Sequence, residues 1–237
     1  MIITNSTQDK FYFEQLLAFL ASIKVNSPKH KVTVFLANYD LDKVQKLRRG
    51  FPWCVFEDRK LTMVKDKRFS LIIFRSGLIK ECFDKYKEPV AWIDTDVLVR
   101  NDLSEFLDVG PNQLKILKRQ TPKEKNQYDA PINAGIFNIG YSEHTYKIIN
   151  KWHKGNLATP KWGQGQIELW KAYNKYSKRV ELVSLPLKFN DLGDRNNQNM
   201  FADNSVMWHC KSNHFDNPKY QSEYQLYLKF GKELYYG

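Results

Sequence analysis

Cysteine is scarce in this chain: Cys54, Cys82 and Cys210 are scattered, odd in number and without a Cys-x-x-Cys spacing. Neither a disulfide framework nor a thiolate zinc site is indicated. No stretch approaches the roughly 18 apolar residues of a membrane span, so no stable membrane insertion is expected. The opening stretch MIITNSTQDK lacks the basic start and long apolar run of a secretion signal, and the expected location is cytoplasmic. Internal repeats and low-complexity linkers are missing too. A chain of 237 residues fits one sizeable domain, and a domain of this length buries roughly 70–75% of its unfolded surface.

Long runs of one charge are also absent, although the net charge is +11. A basic protein favours phosphates of any kind, in nucleic acid, anionic lipid or a nucleotide. The densest basic stretches, KVQKLRR and KRQTPKEK, are short and interrupted. That pattern fits a solvated surface first, a phosphate-bearing small substrate second, and dedicated nucleic-acid binding last.

What is present is an alternation of strand and helix patterns. MIIT reads as a strand, and a helix from about Lys10 to Asn26 places Phe13, Leu16, Leu17, Leu20 and Ile23 at helical spacing before Ser27-Pro28 stops it. KVTVFL is a second strand, Leu41 to Arg49 a helix with Gly50 just past its end, and WCVF a third strand. A longer helix from about Lys67 to Lys85 carries Phe69, Ile72, Ile73, Ile79 and Phe83, and Pro89 opens the strand PVAWI. Beyond it, VLV, LKIL and NAGIFNIG read as strands, with DLSEFL, SEHTYKIINKWHK and QIELWKAYNKY as helices. RVELV and SVMWHC are expected to close the sheet, and the last twenty residues carry a Tyr-rich helical pattern. The fold class is α/β, with a Rossmann-like, mostly parallel central sheet flanked by helices on both faces.

The chemistry gathers at the end of PVAWI, where the chain leaves its core straight into Asp94-Thr95-Asp96. Residues i and i+2 of an extended chain point to one side, so both carboxylates reach one place. In open α/β sheets that place, beyond the carboxyl ends of the strands, is where ligands bind. Two carboxylates there repel, so one takes a proton or a cation lies between them. Mg²⁺ or Mn²⁺, with oxygen ligands, meets that need and bridges to a substrate phosphate. The alternative is a strand-end turn with solvated acids. Asp40-Leu41-Asp42 has the same spacing but opens a polar helix, where carboxylates simply suit the N-terminal dipole.

The stretches VAWIDTDVLVRNDLSEF, PINAGIFNIG and GQGQIELW, in that order, resemble the nucleotide-sugar glycosyltransferases of the GT-A fold, particularly the family 8 group that includes glycogenin and bacterial galactosyltransferases. The resemblance implies transfer of a sugar from a nucleoside diphosphate, a UDP-sugar, to a hydroxyl of a glycan or glycoconjugate acceptor, with retention of configuration. It implies one domain over 1–237: a nucleotide-binding part to about residue 100, an acceptor-side part to about 216 and a C-terminal helix. Asp94 and Asp96 would hold Mn²⁺ (or Mg²⁺) with a late histidine. His209, directly after Val206-Met207-Trp208, is the favoured ligand, and His214 competes or contacts the donor. Thr4 and Asn5 would line the nucleoside pocket, and Thr95, Arg75, Asn133, Ala134, Gly135 and Lys219 would face the donor. Gln166 would stand near the reacting face.

Each assignment has a plainer reading: Asn133 as a strand-end cap, Arg75 as an exposed helix arginine, Thr4 and Asn5 as ordinary strand-end residues. The chain also departs from the family pattern. Gly165 replaces the acidic neighbour of Gln166, and WHCKSNHFDNPKY does not match the usual late motif. Asp191 could instead be the general base of an inverting displacement, or could cap a turn. Two other classes compete. Asp94-Thr95-Asp96-Val97 also fits a haloacid-dehalogenase-like phosphatase with Asp94 as nucleophile, although three strands and three helices precede the motif here. A binding module for polysaccharide or nucleic acid would use the 6 Trp, 13 Tyr and 15 Phe as stacking faces, but most of them fall at core spacings.

Overall fold

The computed structural model describes residues 1–62, 67–119, 130–159, 164–191, 201–210 and 215–237. Strands β1 (Ile2–Thr7), β2 (Val32–Ala37), β3 (Cys54–Arg59), β4 (Val90–Ile93), β6 (Gln113–Lys118), β7 (Ile132–Ile139) and β8 (Glu181–Ser184) form one sheet in the order β3-β2-β1-β4-β7-β6-β8. The β1–β2, β2–β3 and β6–β8 pairs run parallel and β6–β7 antiparallel, giving the mostly parallel α/β sheet that the alternating pattern predicts. β5 (Val97–Val99) and β9 (Met207–His209) make a separate antiparallel pair. The helices are α1 (Lys10–Asn26), α2 (Leu41–Gly50), α3 (Lys67–Tyr86), α4 (Ser104–Leu107), α5 (Glu143–Ala158), α6 (Gln164–Tyr176) and α7 (Pro218–Tyr236). No described helix is long and apolar enough to cross a membrane.

The chain divides into two compact units. The first comprises residues 2–60, 93–105 and 186–237. Its centre is α1, buried without a break from Gln15 to Ile23, as a helix apolar on nearly every side must be. The polar residues at its C-terminal end serve the backbone of the neighbouring segment. Ser22 Oγ accepts from Val99 N at 3.0 Å, Ser27 Oγ accepts from Leu103 N at 3.0 Å, and Asn26 Nδ2 donates to Val99 O at 2.9 Å. The chain that follows Asp96 is thereby pinned at three points. α7 begins at an Asn217 cap with Pro218 in its first turn and closes over α1, with Gly231 seated on Leu17.

The second unit comprises Met1 and residues 61–92 and 106–185. Here α3, α5 and α6 accompany β6, β7 and β8. Ser142 and Thr145 form a reciprocal capping box that starts α5. Trp152 on α5 is fully buried, and its indole Nε1 donates to Gly165 O at 2.7 Å.

Three features differ from the sequence expectation. β1 runs through Thr7, past the apolar MIIT, because all six residues pair with β2 although Thr4, Ser6 and Thr7 are polar. SVMWHC does not close the main sheet: its residues 207–209 pair with Val97–Val99 in the small sheet. Gly50 is the last helical residue of α2 rather than a cap beyond it. Packing explains its identity, since a Cβ there would lie 2.2 Å from Leu234 O on α7.

Gly231 tests the α1–α7 contact. A Cβ at this position would sit 2.5 Å from Leu17 O, a backbone atom that has no room to yield. Helix propensity alone favours Gly231→Ala by about 1 kcal/mol, whereas overpacking costs about 1–3 kcal/mol. A net loss is expected, seen as a lower urea midpoint. A raised midpoint would show slack between the helices.

Candidate functional site

β4 is buried along its length and delivers Asp94 at its C-terminal end. A turn through Thr95, itself buried, carries the chain to Asp96 and into β5. β5 pairs with β9 so that Val97 faces His209, and the ladder is extended by Cys210 N donating to Asp96 O at 2.9 Å. One ligand atom each from Asp94, Asp96 and His209 therefore falls within 4.8 Å of the others. All three residues belong to the first unit.

The orientation of His209 decides what this cluster can do. The residue is 2% exposed, its Nδ1 lies 2.9 Å from Asn190 Oδ1, and its Nε2 lies 3.3 Å from Asp96 Oδ1. An amide oxygen only accepts, so Nδ1 carries a hydrogen and Nε2 is the ring atom turned toward the Asp96 carboxylate. Apart from that contact, Asp96 Oδ1 has no hydrogen-bond partner among the described residues. A proton on Nε2 or a cation shared with Asp94 satisfies this contact. Two carboxylates and one imidazole form a donor set that fits a divalent cation of the Mn²⁺ or Mg²⁺ kind.

The surroundings add no further negative charge. Burial pushes the Cys210 thiol well up, reinforced by the Asp96 and Asp216 carboxylates. Burial likewise raises the Tyr220 phenol, with Cys210 and Asp96 contributing, and the Tyr220 hydroxyl donates to Asp96 O at 3.5 Å. Both groups stay neutral near pH 7. Lys219 Nζ is 2.7 Å from Asp203 and 5.5 Å from the Trp208 ring centre, and its hydrogen bond holds the Asp203 carboxyl below the usual range. His214 lies outside the described residues, as does most of the segment between Arg119 and Ala130.

Asp191 is occupied differently from a base waiting for substrate. Its carboxylate accepts from Ala202 N at 2.9 Å, Ser205 Oγ at 2.7 Å and Phe201 N at 3.3 Å. These bonds hold a turn in which Phe201, a bulky residue, sits at φ 53°, its ring buried between Trp208 and Tyr220. On β1, Thr4 is fully buried and Asn5 half-buried, and neither Thr4 Oγ1 nor Asn5 Nδ2 has a hydrogen-bond partner among the described residues.

In the second unit, β6 and β7 slip register. Ile116 faces Phe137 but Leu117 faces Asn133, so residues 134–136 bulge out of the ladder. Side chains replace the missing bonds: Ala134 N donates to Gln166 Oε1 at 3.0 Å, and Ala134 O accepts from Arg75 Nη1 at 3.2 Å. Gly135 N donates to Asn133 Oδ1 at 2.9 Å, while Asn133 Nδ2 is buried without a partner among the described residues. Arg75 is not an exposed helix arginine. Its guanidinium carbon lies 5.8 Å and 5.7 Å from the ring centres of Trp92 and Trp152. Gly165 makes room for it, since a Cβ there would stand 2.8 Å from Ile72 and 3.4 Å from Arg75 Nη2. The structure thus joins Arg75, Asn133, Ala134, Gly135 and Gln166 in one bulge, and Asp94, Asp96 and His209 in one cluster. The residue that sequence reasoning missed as part of the site is Asn190, whose contact with His209 depends on pairing between segments 19 positions apart.

No model of a known protein family matches the sequence, and no curated protein matches it. Solved structures do match. The bifunctional glycosyltransferase WbbM superposes with a TM-score of 0.65 at 15% identity, over 99% of this chain and 50% of that one. The glycosyltransferase GlyE of Streptococcus pneumoniae gives 0.61 at 16% identity, over 98% and 64%. The galactosyltransferase LgtC gives 0.59 at 16% identity, over 98% and 96%. The chain spans about half of WbbM and under two thirds of GlyE, but nearly all of LgtC. A seven-stranded, mostly parallel sheet with these neighbours is the fold of the GT-A glycosyltransferases, including the family 8 enzyme LgtC.

Proposed function

We propose that this chain is a metal-dependent glycosyltransferase that moves a sugar from a nucleoside diphosphate, a UDP-sugar, to a hydroxyl of a glycan or glycoconjugate, with retention of configuration. The observation that carries the reading is the convergence of Asp94, Asp96 and His209 at the end of a buried strand. Mn²⁺ held by these residues would neutralise the charge that builds on the departing diphosphate. An imidazole beside the carboxylates favours Mn²⁺ over Mg²⁺.

The other roles follow from chemistry. Thr4 and Asn5 offer buried, unsatisfied polar atoms to the nucleoside. Asn133 offers its unpartnered Nδ2 to the donor sugar, and Gly135 lets a ligand approach the backbone. Arg75 and Gln166 hold the Ala134 peptide from opposite sides and so keep the bulge in one shape. Gln166 acts near the sugar through that peptide. Lys219 exchanges Asp203 for a donor phosphate, and Thr95 and His214 are further donor-binding candidates. Asp191 anchors its turn, and its three donors argue against service as a base. The phosphatase reading is not favoured, because the cluster's third member is a histidine and the structural neighbours are glycosyltransferases.

A thermal-shift panel of nucleotide sugars with and without Mn²⁺ tests this directly. A true donor at a hundred times its dissociation constant stabilises by about 2.7 kcal/mol, which for a chain of this size is roughly 5–10 °C. The shift is expected for a UDP-sugar only when Mn²⁺ is present, and is expected to vanish in Asp96→Ala. An equal shift without metal would contradict the reading. Asp191→Asn distinguishes anchor from base. An anchor loses melting temperature with turnover largely kept, whereas a base loses about 10²–10⁴-fold in rate at unchanged stability.

A further inference from the structure

The amide of Asn190 is fully buried, yet it spends its oxygen on one ring nitrogen and leaves Nδ2 without a partner among the described residues. Leaving a buried amide N–H unsatisfied costs stability, so packing alone does not account for a polar residue there. The contact is also not incidental. Asn190 N donates to Leu187 O at 2.9 Å, ending a short 3₁₀ turn over Leu187–Phe189. On either side, Val206 N donates to Lys188 O at 2.6 Å, Asp191 N to Met207 O at 3.1 Å and His209 N to Asp191 O at 2.9 Å. This backbone ladder locks the segment 188–191 against 206–209, and it sets the amide oxygen opposite His209 Nδ1 at 2.9 Å.

We propose that Asn190 is a positioning residue for the metal centre: by accepting the Nδ1 hydrogen it fixes the tautomer and ring angle of His209, so that the Nε2 lone pair points between the carboxylates of Asp94 and Asp96. The inference rests on the reading of those three residues as a cation site. An imidazole coordinates only through an unprotonated nitrogen, and a partner on its other nitrogen decides which one that is. Asn190 itself is not one of the three ligands. It acts through His209, and the backbone ladder makes its aim rigid.

The test is Mn²⁺ affinity, measured by calorimetry with the metal alone, for the wild type, His209→Ala, Asn190→Leu, Asn190→Ala and Asn190→Asp. Melting temperatures in EDTA run in parallel. Leu keeps the volume and loses the acceptor, Ala loses both, and Asp keeps an oxygen for the Nδ1 hydrogen. Asn190→Leu and Asn190→Ala are expected to bind Mn²⁺ about 10–100-fold more weakly, with Asn190→Asp within a few-fold of the wild type. Wild-type affinity in Leu or Ala, with only the EDTA melting temperature lowered, would overturn the proposal. So would an Asp variant no better than Leu. Failure of the wild type to bind Mn²⁺, or equal binding in His209→Ala, would overturn the cation site first and this proposal with it.

Discussion

Two half-buried carboxylates and a buried imidazole brought to one place are the constraint around which the first unit is arranged. Asp94 and Asp96 leave a buried strand two residues apart, and His209 brings its ring to within 3.3 Å of Asp96. In water the carboxylates would simply separate. Here they cannot, because the backbone on each side of them is fixed. β4 ends at Ile93, and the segment from Val97 to Leu103 is tied to α1 by Ser22, Asn26 and Ser27. Repulsion between like charges at such range is strong only where water is thin. A cation held between the two carboxylates would relieve that repulsion.

The supporting bonds run in layers. β5 and β9 set His209 across from Val97, the ladder between 188–191 and 206–209 sets Asn190 behind His209, and Asp191 clasps the turn that carries Phe201. Asp191 and Asn190 are adjacent, so one stretch of chain meets the histidine and also clasps the turn at Phe201, Ala202 and Ser205. The second unit uses another device. A register slip in β7 frees the backbone of Ala134, and Gln166 takes its N–H while Arg75 takes its carbonyl. In both units, polar side chains replace backbone ladders where the regular structure stops, and there ligand chemistry becomes possible.

Much of this was legible in the sequence because it depends on local patterns. The alternation of strands and helices predicts the α/β sheet, and an apolar run ending in Asp-x-Asp marks the strand end. His209 stands out because it directly follows the apolar Val206-Met207-Trp208. What was not legible depends on long-range pairing. The strand character of Thr4 to Thr7 comes from their partners Val34 to Ala37 on β2, and residues 207–209 pair with Val97–Val99 rather than with the main sheet. The identity of Gly50 and Gly165 reflects atoms of other helices, Leu234 and Ile72. Asn190 carries no periodic signal, and only the folded ladder reveals what its amide faces.

The central claim is that Asp94, Asp96 and His209 grip a cation that in turn meets the phosphates of a sugar nucleotide. Pulsed electron paramagnetic resonance of the protein with Mn²⁺ and UDP measures this at the ion itself. The account predicts one directly bound imidazole nitrogen, absent in His209→Ala, together with phosphorus couplings from the diphosphate. A spectrum showing phosphorus but no protein nitrogen, or nitrogen that persists without His209, would contradict it.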